Sequence, residues 1–369
     1  MKPSDLSSLF HAVHMVAIAF SAIVITPPAD GLQLAPLLST CVEACQRGCI
    51  EIRSVQASRE LNCGDLRVQL KDDQDPRSAL TEADSAAQKV IIGSLRAEWG
   101  DRLNIVGEED DDDELTSSLK DMVFEPLKTD MFDDDIGETM DIDVSEVTVF
   151  VDPLDGTREF VEGRLENCQV LVGIAIGGES VAGAIGIPFP DGDLSTDSTI
   201  IYGFADIGSG VIGATLSRGP YPLERNIDGV KYPRPHHATG DSTDTVMGAC
   251  RNGTIQRFGG SNVIYGGAGN KILAAALGEV ACSIQHKVGG PWDLCAPEAI
   301  LKAMGGKMTD LFGEKIAIYR ADAPANCNER GYLATPPGSA DFHEALTTTM
   351  NTLSEVQEYR KVIVRNKAN

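Results

Sequence analysis

The chain has 369 residues, of which 42% are hydrophobic and 23% are charged, and this composition is typical of a folded protein with a substantial core. Its formal net charge of −24 argues against nucleic acid and anionic membrane surfaces as partners, because both attract clustered Lys and Arg. A small anionic substrate would need bound cations in order to approach such a chain.

The first 32 residues form a hydrophobic N-terminal extension. Residues 9–26 are mostly apolar, Lys2 precedes them, and Pro27 and Pro28 end the run. This run is short for a membrane span, but it is typical of a signal peptide or a signal anchor. We therefore predict entry into the secretory pathway or a membrane anchor. If the extension has no targeting role, the alternative is a cytoplasmic or organellar protein.

Nine cysteines are scattered along the chain, and this odd number does not suggest a disulfide framework. Cys41, Cys45 and Cys49 recur every four residues and would share one face of a helix. No CxxC pair or paired histidines accompany them. We therefore interpret them as buried small hydrophobic residues and not as zinc ligands.

Helices and strands alternate along the first half of the chain. The spacing of apolar residues predicts a helix over 37–55 and another that begins at Thr81, with a short extended piece over 61–70 between them. Strands are predicted over 103–106 and 146–151, because both runs are apolar and β-branched.

The second half begins with a hairpin and then continues the alternation. Residues 169–176 and 181–187 are predicted to pair around Gly177 and Gly178, which indicates a sheet that is at least partly antiparallel. No repeat of fixed period is present, so the pattern predicts layered α and β structure. Later predicted elements are strands over 199–204, 210–215 and 280–285, a polar connection over 226–244, and helices that begin at Gly269 and Trp292.

The decapeptide VDPLDGTREF, residues 151–160, carries two carboxylates three residues apart where a strand gives way to a helix. The proline between them is expected to end the strand, so Asp152 and Asp155 would lie at its exit. A helix from Thr157 would place the Gly156 and Thr157 amides beside bound metals, an arrangement that suits phosphate. The alternative is an acidic β-turn, which Asp, Pro and Gly commonly form.

Carboxylates stand at the edge of a regular element in four places. Asp84 lies in the first turn of a predicted helix, Glu108 just after a strand, Asp152 and Asp155 at a strand exit, and Asp293 at a helix start. Ligand sets made only of oxygen select hard cations, so Mg²⁺ is the expected metal. Two such ions could hold both the attacking water and the leaving oxygen of a phosphoryl transfer, and the pattern therefore predicts a phosphatase.

These residues resemble the lithium-sensitive, magnesium-dependent phosphatases related to inositol monophosphatase. The resemblance covers about residues 35–345 and implies a layered αβαβα sandwich of the α+β class, with mixed sheets and an active site between two subdomains. The shared motifs are Gly107-Glu108-Glu109, Asp152-Pro153-Leu154-Asp155-Gly156-Thr157 and Trp292-Asp293-Leu294-Cys295-Ala296-Pro297-Glu298.

The resemblance also implies roles for single residues. Asp84 and Thr157 would orient and deprotonate the attacking water, since a threonine hydroxyl can accept from water while it donates to a carboxylate. Two or three Mg²⁺ ions would make that water more acidic. The implied metal ligands are Glu108, Asp152, the Leu154 carbonyl, Asp155 and Asp293.

We accordingly predict four regions. Residues 1–32 are the N-terminal extension, and residues 33–192 form an α+β subdomain that carries most metal ligands. Residues 193–345 form an α/β subdomain with the substrate loop and the last metal ligand, and residues 346–369 form a C-terminal helix or tail.

The segment Gly266-Gly267-Ala268-Gly269-Asn270-Lys271 is similar to one branch of this family, the 3′(2′),5′-bisphosphate nucleotidases. By this resemblance Gly267 and Lys271 contact a nucleotide, with Gly156 and Thr157 at its phosphate. The implied reaction converts adenosine 3′,5′-bisphosphate to AMP and phosphate. One departure is that Cys250-Arg251-Asn252-Gly253 stands where that branch has Thr-Arg-Ser-His, so the histidine is absent.

Two alternatives stay open. The enzymatic one is an inositol mono- or polyphosphate 1-phosphatase, which the missing histidine favours. The other is a catalytically silent protein that binds a phosphometabolite or a cation. The presence of Asp84 and Thr157 favours catalysis, because a pure binding protein needs no group that activates water.

Overall fold

The fold is seen in a computed structural model of the chain. It describes residues 31–62, 68–70, 79–109, 119, 122–132, 142–205, 207–213, 225–227, 230–232, 236–239, 244–287, 289–324 and 327–368. Most of the N-terminal extension and the middle of the extended piece predicted over 61–70 lie outside these residues.

The prediction of a membrane anchor or a secretory-pathway protein is contradicted and is not retained. Among the described residues, no helix is both long enough and apolar enough to cross a bilayer. The apolar run at residues 9–26, on which the prediction depended, lies outside the described part of the chain.

The helices and strands are numbered here in chain order. The helices are α1 Leu34–Asn62, α2 Glu82–Trp99, α3 Thr157–Val161, α4 Thr245–Phe258, α5 Ala268–Ala276, α6 Trp292–Ala303, α7 Ala340–Thr352 and α8 Ser354–Ala368. The strands are β1 Gly31–Leu32, β2 Val68–Leu70, β3 Ala79–Thr81, β4 Asn104–Gly107, β5 Ile142–Asp143, β6 Val147–Asp155, β7 Gln169–Ile176, β8 Glu179–Ile187, β9 Thr199–Phe204, β10 Gly208–Ile212, β11 Arg225–Ile227, β12 Val230–Tyr232, β13 His236–Thr239, β14 Ser261–Ile264, β15 Cys282–Gln285, β16 Lys307–Thr309 and β17 Tyr332–Thr335.

Two mixed sheets form the framework. The first has six strands in the order β10-β9-β8-β7-β6-β4, and all of its pairs are antiparallel except β4 with β6. The second has five strands in the order β14-β13-β15-β17-β16, with β13 parallel to both of its neighbours. The predicted hairpin is present as β7 and β8, and its turn is made by Gly177 and Gly178 at φ of 58° and 83°.

Helices and sheets alternate in five layers. Helices α1 and α2 pack together against one face of the six-stranded sheet, and α6 packs on its other face. Helix α5 contacts both α6 and the five-stranded sheet, while α4, α7 and α8 form the outer layer. Three clusters of buried apolar side chains fill the spaces between these layers. The predicted layered αβαβα fold of the α+β class, with mixed sheets, is therefore confirmed.

The six-stranded sheet continues past the predicted subdomain boundary at residue 192. Strands β9 and β10 pair in register with β8, from Thr199 to Ile212. The division into subdomains stays a prediction, and this pairing favours a boundary after residue 213. The predicted C-terminal element contains the end of α7 and all of α8.

The predicted polar connection over 226–244 is wrong where it is described, because it contains β11, β12 and β13. Helix α4 and strand β14 were also missed. These strands have three or four residues each, and a period-two pattern needs a longer run to stand out. The three cysteines at positions 41, 45 and 49 are buried in α1, and burial holds the pKa of the Cys41 thiol well above its usual range.

Candidate active site

Strand β6 leads directly into the site. All nine of its residues are buried, which fits the β-branched and apolar run that precedes Asp152. The prediction that Pro153 ends the strand is wrong, since β6 continues to Asp155. A shift of register against β7 lies between Asp152 and Asp155, and it accommodates the proline within a strand that has neighbours on both sides.

Three aspartates converge where β6 ends. One carboxylate oxygen each from Asp152, Asp155 and Asp293 lies within 4.8 Å of the others. The structure thus brings together carboxylates that are 138 residues apart in sequence, because Asp293, in the first turn of α6, is held against β6. Asp152 and Asp155 are buried, and Asp293 is partly buried.

Burial and mutual repulsion disfavour the ionised form of these carboxylates when no cation is bound. Burial raises the pKa of Asp155 to about 6, with Glu108 adding to the rise and Lys271 opposing it. Burial, followed by the charges of Glu108 and Asp155, holds the pKa of Asp293 well above its usual range. A divalent cation would remove this cost, and oxygen donors suit Mg²⁺, so the residues present fit such an ion.

Glu108 approaches the trio from the neighbouring strand. Strand β4 runs parallel to β6 with Gly107 opposite Val151, and the Glu108 amide donates to the Val151 carbonyl at 3.0 Å. The carboxylate lies outside the group of oxygens within 4.8 Å, but its charge acts on both Asp155 and Asp293.

Asp84 and Thr157 are in direct contact. The Thr157 hydroxyl lies 2.7 Å from Asp84 Oδ1 and 3.0 Å from the Leu154 carbonyl oxygen. The other carboxylate oxygen of Asp84 accepts from the Thr81 amide at 2.8 Å and from its hydroxyl at 2.6 Å. Thr81 is the N-cap of α2, so Asp84 belongs to a capping box and also faces Thr157. Its structural role and its predicted functional role are compatible.

The Gly-rich segment is held by Asp155. The Ala268 and Gly269 amides each donate to its carboxylate at 2.8 Å, and the Asn270 amide donates at 3.3 Å. A Cβ on Gly267 would lie 2.6 Å from Asp155 Oδ2, and its φ of 71° also favours glycine. Asp155 therefore caps α5 from a distant part of the chain while it belongs to the trio.

Lys271 is buried beneath this segment. Its residue exposure is 4%, and its ammonium donates to the Gly267 carbonyl at 2.6 Å and to the Tyr265 carbonyl at 3.4 Å. Its charge also lowers the pKa of Asp155 and Asp293. Direct contact of Lys271 with a substrate stays a prediction. The contacts seen here support the loop and offset the acidic trio.

Gly156 links the trio to helix α3 in a left-handed conformation, with φ of 91°. A Cβ there would lie 3.0 Å from the Asn167 carbonyl oxygen, so both conformation and space favour glycine. The helix that follows has only five residues. Phosphate binding by the Gly156 and Thr157 amides stays a prediction.

Sequence reasoning missed Glu159, Asn167 and Asn270, which lie around the same loop. Glu159 is 8% exposed and accepts from Arg164 and Asn167. The only signal was its place in the decapeptide, two residues after Thr157, where its charge would have suggested a solvated helix face. The segment that lacks the family histidine, residues 250–253, lies inside α4.

The fold is a layered α+β fold, and the acidic cluster is a site that could hold a metal ion. The model of the inositol monophosphatase family matches residues 33–355, and the chain belongs to that family. The family is metal-dependent, in keeping with the buried aspartates.

Relatives agree with this membership, and a solved structure agrees with the fold. The 3′(2′),5′-bisphosphate nucleotidase 1 of Dictyostelium discoideum is 31% identical over 328 residues, which are 87% of this chain and 99% of that protein. The human protein of the same name is 33% identical over 266 residues, 69% of this chain and 78% of its own length. The crystal structure of the extragenic suppressor protein suhB from Bartonella henselae has a TM-score of 0.59 at 18% identity, covers 86% of this chain and 98% of its own, and supports the fold.

Proposed function

We propose that this protein is a magnesium-dependent phosphatase that hydrolyses the 3′-phosphate of adenosine 3′,5′-bisphosphate to give AMP and phosphate. The observation that carries the reaction class is the placement of the Thr157–Asp84 pair beside three converging aspartates. The observation that carries the substrate is the likeness to bisphosphate nucleotidases, along 99% of the Dictyostelium discoideum protein and 78% of the human one.

The acidic residues would hold the metal. Asp152, Asp155 and Asp293 are the central ligands, with the Glu108 carboxylate and the Leu154 carbonyl as further ones. When bound, two or three Mg²⁺ ions would offset the charge of the phosphate and make a bound water more acidic. The chain's own charge of −24 would otherwise repel a bisphosphate.

Thr157 and Asp84 would direct the attacking water. The Thr157 hydroxyl is 2.7 Å from Asp84 Oδ1, so its proton points to that carboxylate and its oxygen can accept from water. The Thr81 hydroxyl and amide hold the other Asp84 oxygen, which fixes the orientation of the carboxylate. As the water oxygen bonds to phosphorus and the bond to the 3′-oxygen breaks, the water's proton would pass to the Thr157 oxygen and the Thr157 proton to Asp84. The departing 3′-oxygen would take up a proton from solvent water and become the 3′-hydroxyl of AMP.

An inositol mono- or polyphosphate 1-phosphatase is the alternative that a specific observation favours. The nucleotidase histidine is absent, and the corresponding residues 250–253 belong to α4 with Cys250 buried. The Xenopus laevis protein named inositol monophosphatase 3 is 27% identical over 317 residues. The higher identity to bisphosphate nucleotidases favours the nucleotide.

Phosphate release from three substrates would separate these functions. Purified protein with Mg²⁺ is given adenosine 3′,5′-bisphosphate, inositol 1-phosphate or inositol 1,4-bisphosphate, and kcat/KM is compared. We expect the nucleotide to be preferred by at least about tenfold, a difference that a few polar contacts provide. Preference for an inositol ester would reject the nucleotide assignment, and no turnover of any of the three would favour the catalytically silent protein.

A further inference from the structure

Two acidic side chains of the decapeptide meet two consecutive glycines of the Gly-rich loop. A Cβ on Gly266 would overlap the Glu159 carboxyl group, and a Cβ on Gly267 would lie 2.6 Å from Asp155 Oδ2. Asp155 is accounted for by the metal-type site. Glu159 has no part in that site, yet it packs as closely against the loop. The loop is therefore in close contact with the decapeptide, residues 151–160, at two points.

Glu159 is itself held by a polar network that is only partly buried, since the Arg164 side chain is 44% exposed. Arg164 donates to it through Nε at 2.5 Å and through Nη2 at 2.9 Å, and Asn167 donates at 3.2 Å. The residue is only 8% exposed, and the bidentate pairing with Arg164 orients its carboxylate. The Glu159 side chain is therefore a mostly buried acid with three hydrogen bonds, and it can support the loop.

The network continues to the loop from a second side. The Asn270 side chain donates to Asn167 Oδ1 at 2.9 Å and to the Gly266 carbonyl at 3.3 Å. Asn270 belongs to α5, whereas Glu159 and Asn167 follow β6. The network thus joins the part of the chain that carries Asp152 and Asp155 to the loop that lies against Asp155.

We propose that Glu159 is a positioning residue that sets the distance between the Gly-rich loop, residues 265–267, and the aspartate trio. It thereby sets how well the part of the substrate outside its reacting phosphate fits the site. This inference rests on the proposed function for its substrate. A Cβ on Gly267 would lie 2.6 Å from Asp155 Oδ2, so the loop borders the trio, and an ester whose phosphate is bound at the trio would lie beside the loop. A displaced loop would weaken binding of a large ester more than that of a small one.

The kinetic test compares Glu159→Ala and Glu159→Gln with Glu162→Gln. Glu162 also pairs with Arg164, but its side chain is 37% exposed, and it is the matched control. In Glu159→Ala, KM for adenosine 3′,5′-bisphosphate should rise about tenfold, as loss of a buried hydrogen-bonded support implies, with kcat within about threefold. KM for p-nitrophenyl phosphate should change little. Glu159→Gln, which keeps the shape, should lie between wild type and Glu159→Ala.

A second readout needs no substrate. Amide hydrogen exchange at 266–271 should be faster in Glu159→Ala than in wild type or Glu162→Gln, because the loop loses its support. Gly266→Ala should speed exchange as well. The double variant Glu159→Ala with Gly266→Ala should be closer to wild type than Gly266→Ala alone, since the added methyl then has room.

The outcomes separate this inference from the proposed function. If the wild type does not hydrolyse the nucleotide, the proposed function fails, and the exchange data alone decide on Glu159. Unchanged exchange at 266–271 in Glu159→Ala overturns the inference whatever the activity. Faster exchange with equal KM changes for the nucleotide and p-nitrophenyl phosphate also overturns it, because the support would then be merely structural. Should Glu159→Ala fail to fold, Glu159→Gln and Gly266→Ala provide the same comparison.

Discussion

Asp155 joins two structures that the sequence presents separately. Its carboxylate lies within 4.8 Å of those of Asp152 and Asp293, and it accepts backbone hydrogen bonds from the first turn of α5. Both groups of partners share the same two oxygens. Each carboxylate oxygen has two lone pairs, so Asp155 can serve the helix and a cation together.

Asp155→Asn should separate the binding of a cation from the capping of α5. An amide keeps one acceptor oxygen for α5 but has no charge for a cation, so we expect kcat/KM to fall by at least about a hundredfold. The free energy of unfolding without Mg²⁺ should change by less than about 2 kcal/mol, since a lost hydrogen bond is offset by relief of repulsion in the trio. Steady-state kinetics and urea unfolding measure the two effects. Wild-type turnover in this variant would contradict the site.

Thr157 is tested by a pair of substitutions. Thr157→Ser keeps the hydroxyl that contacts Asp84, whereas Thr157→Val keeps the shape and removes it. We expect kcat to fall about 10²- to 10⁴-fold in Thr157→Val, the usual range for loss of proton-transfer assistance, and by less than about tenfold in Thr157→Ser. Equal kcat values for the two variants would show that the hydroxyl has no role in the reaction.

Among the elements, helix α6 lies close to strands β7 and β8 at two glycines, which have no side chain to hold it away. A Cβ on Gly173 would lie 2.5 Å from the Ala296 backbone nitrogen, and one on Gly183 would lie 2.7 Å from the Ala296 Cα. These glycines allow α6 to lie directly on the sheet, and α6 carries Asp293. The position of the last member of the trio thus depends on glycines far from it in sequence.

Gly173→Ala should therefore be strongly destabilising. The added methyl meets backbone, which cannot move aside as a flexible side chain could, and we expect a loss of about 1–3 kcal/mol in the free energy of unfolding. Gly248→Ala in α4 is the control, because nothing lies within 4 Å of its Cβ position and alanine favours a helix. Thermal and urea unfolding measure both. If Gly173→Ala were as stable as Gly248→Ala, the proposed close approach of α6 would be wrong.

The predicted elements were most reliable where a long pattern existed. The helix beginning near Thr81 and the hairpin were found, because both have repeated apolar positions or a glycine turn. The strand over 146–151 was predicted, but its continuation past Pro153 was missed, since the rule that proline ends a central strand does not anticipate a register shift. Such a shift is imposed by the neighbouring strand, β7, and so lies beyond a reading of local sequence.

For the whole molecule, pH and Mg²⁺ should act on stability together. The pKa of Asp155 is about 6 in the fold against an ordinary value of 3.8, so the fold favours the protonated carboxyl group. Without metal, the stability that this preference gives is fully present below about pH 4 and is lost as the pH rises through 6. A bound cation offsets that loss, because it favours the ionised form. We expect the rise in Tm caused by Mg²⁺ to be larger at pH 7 than at pH 5.

This dependence is measured by thermal unfolding with and without Mg²⁺ at several pH values. Asp155→Asn cannot titrate, so its response to Mg²⁺ should be smaller and should vary less with pH. Na⁺ at equal ionic strength controls for general screening of the net charge of −24. A Tm shift equal at pH 5 and pH 7, or equal for Mg²⁺ and Na⁺, would contradict the cation site.

The sequence by itself determined the family and the layered fold, because these depend on ordered motifs and on composition, and it predicted the set of acidic residues. The tertiary structure decided how Asp293 is held against Asp152 and Asp155, that Lys271 is buried beside the loop, and that Glu159 packs against Gly266. The physical reason is that a sequence pattern assigns a charged residue to the solvent-exposed surface. Its burial is set by partners such as Arg164 or the α5 amides, which folding brings from elsewhere in the chain.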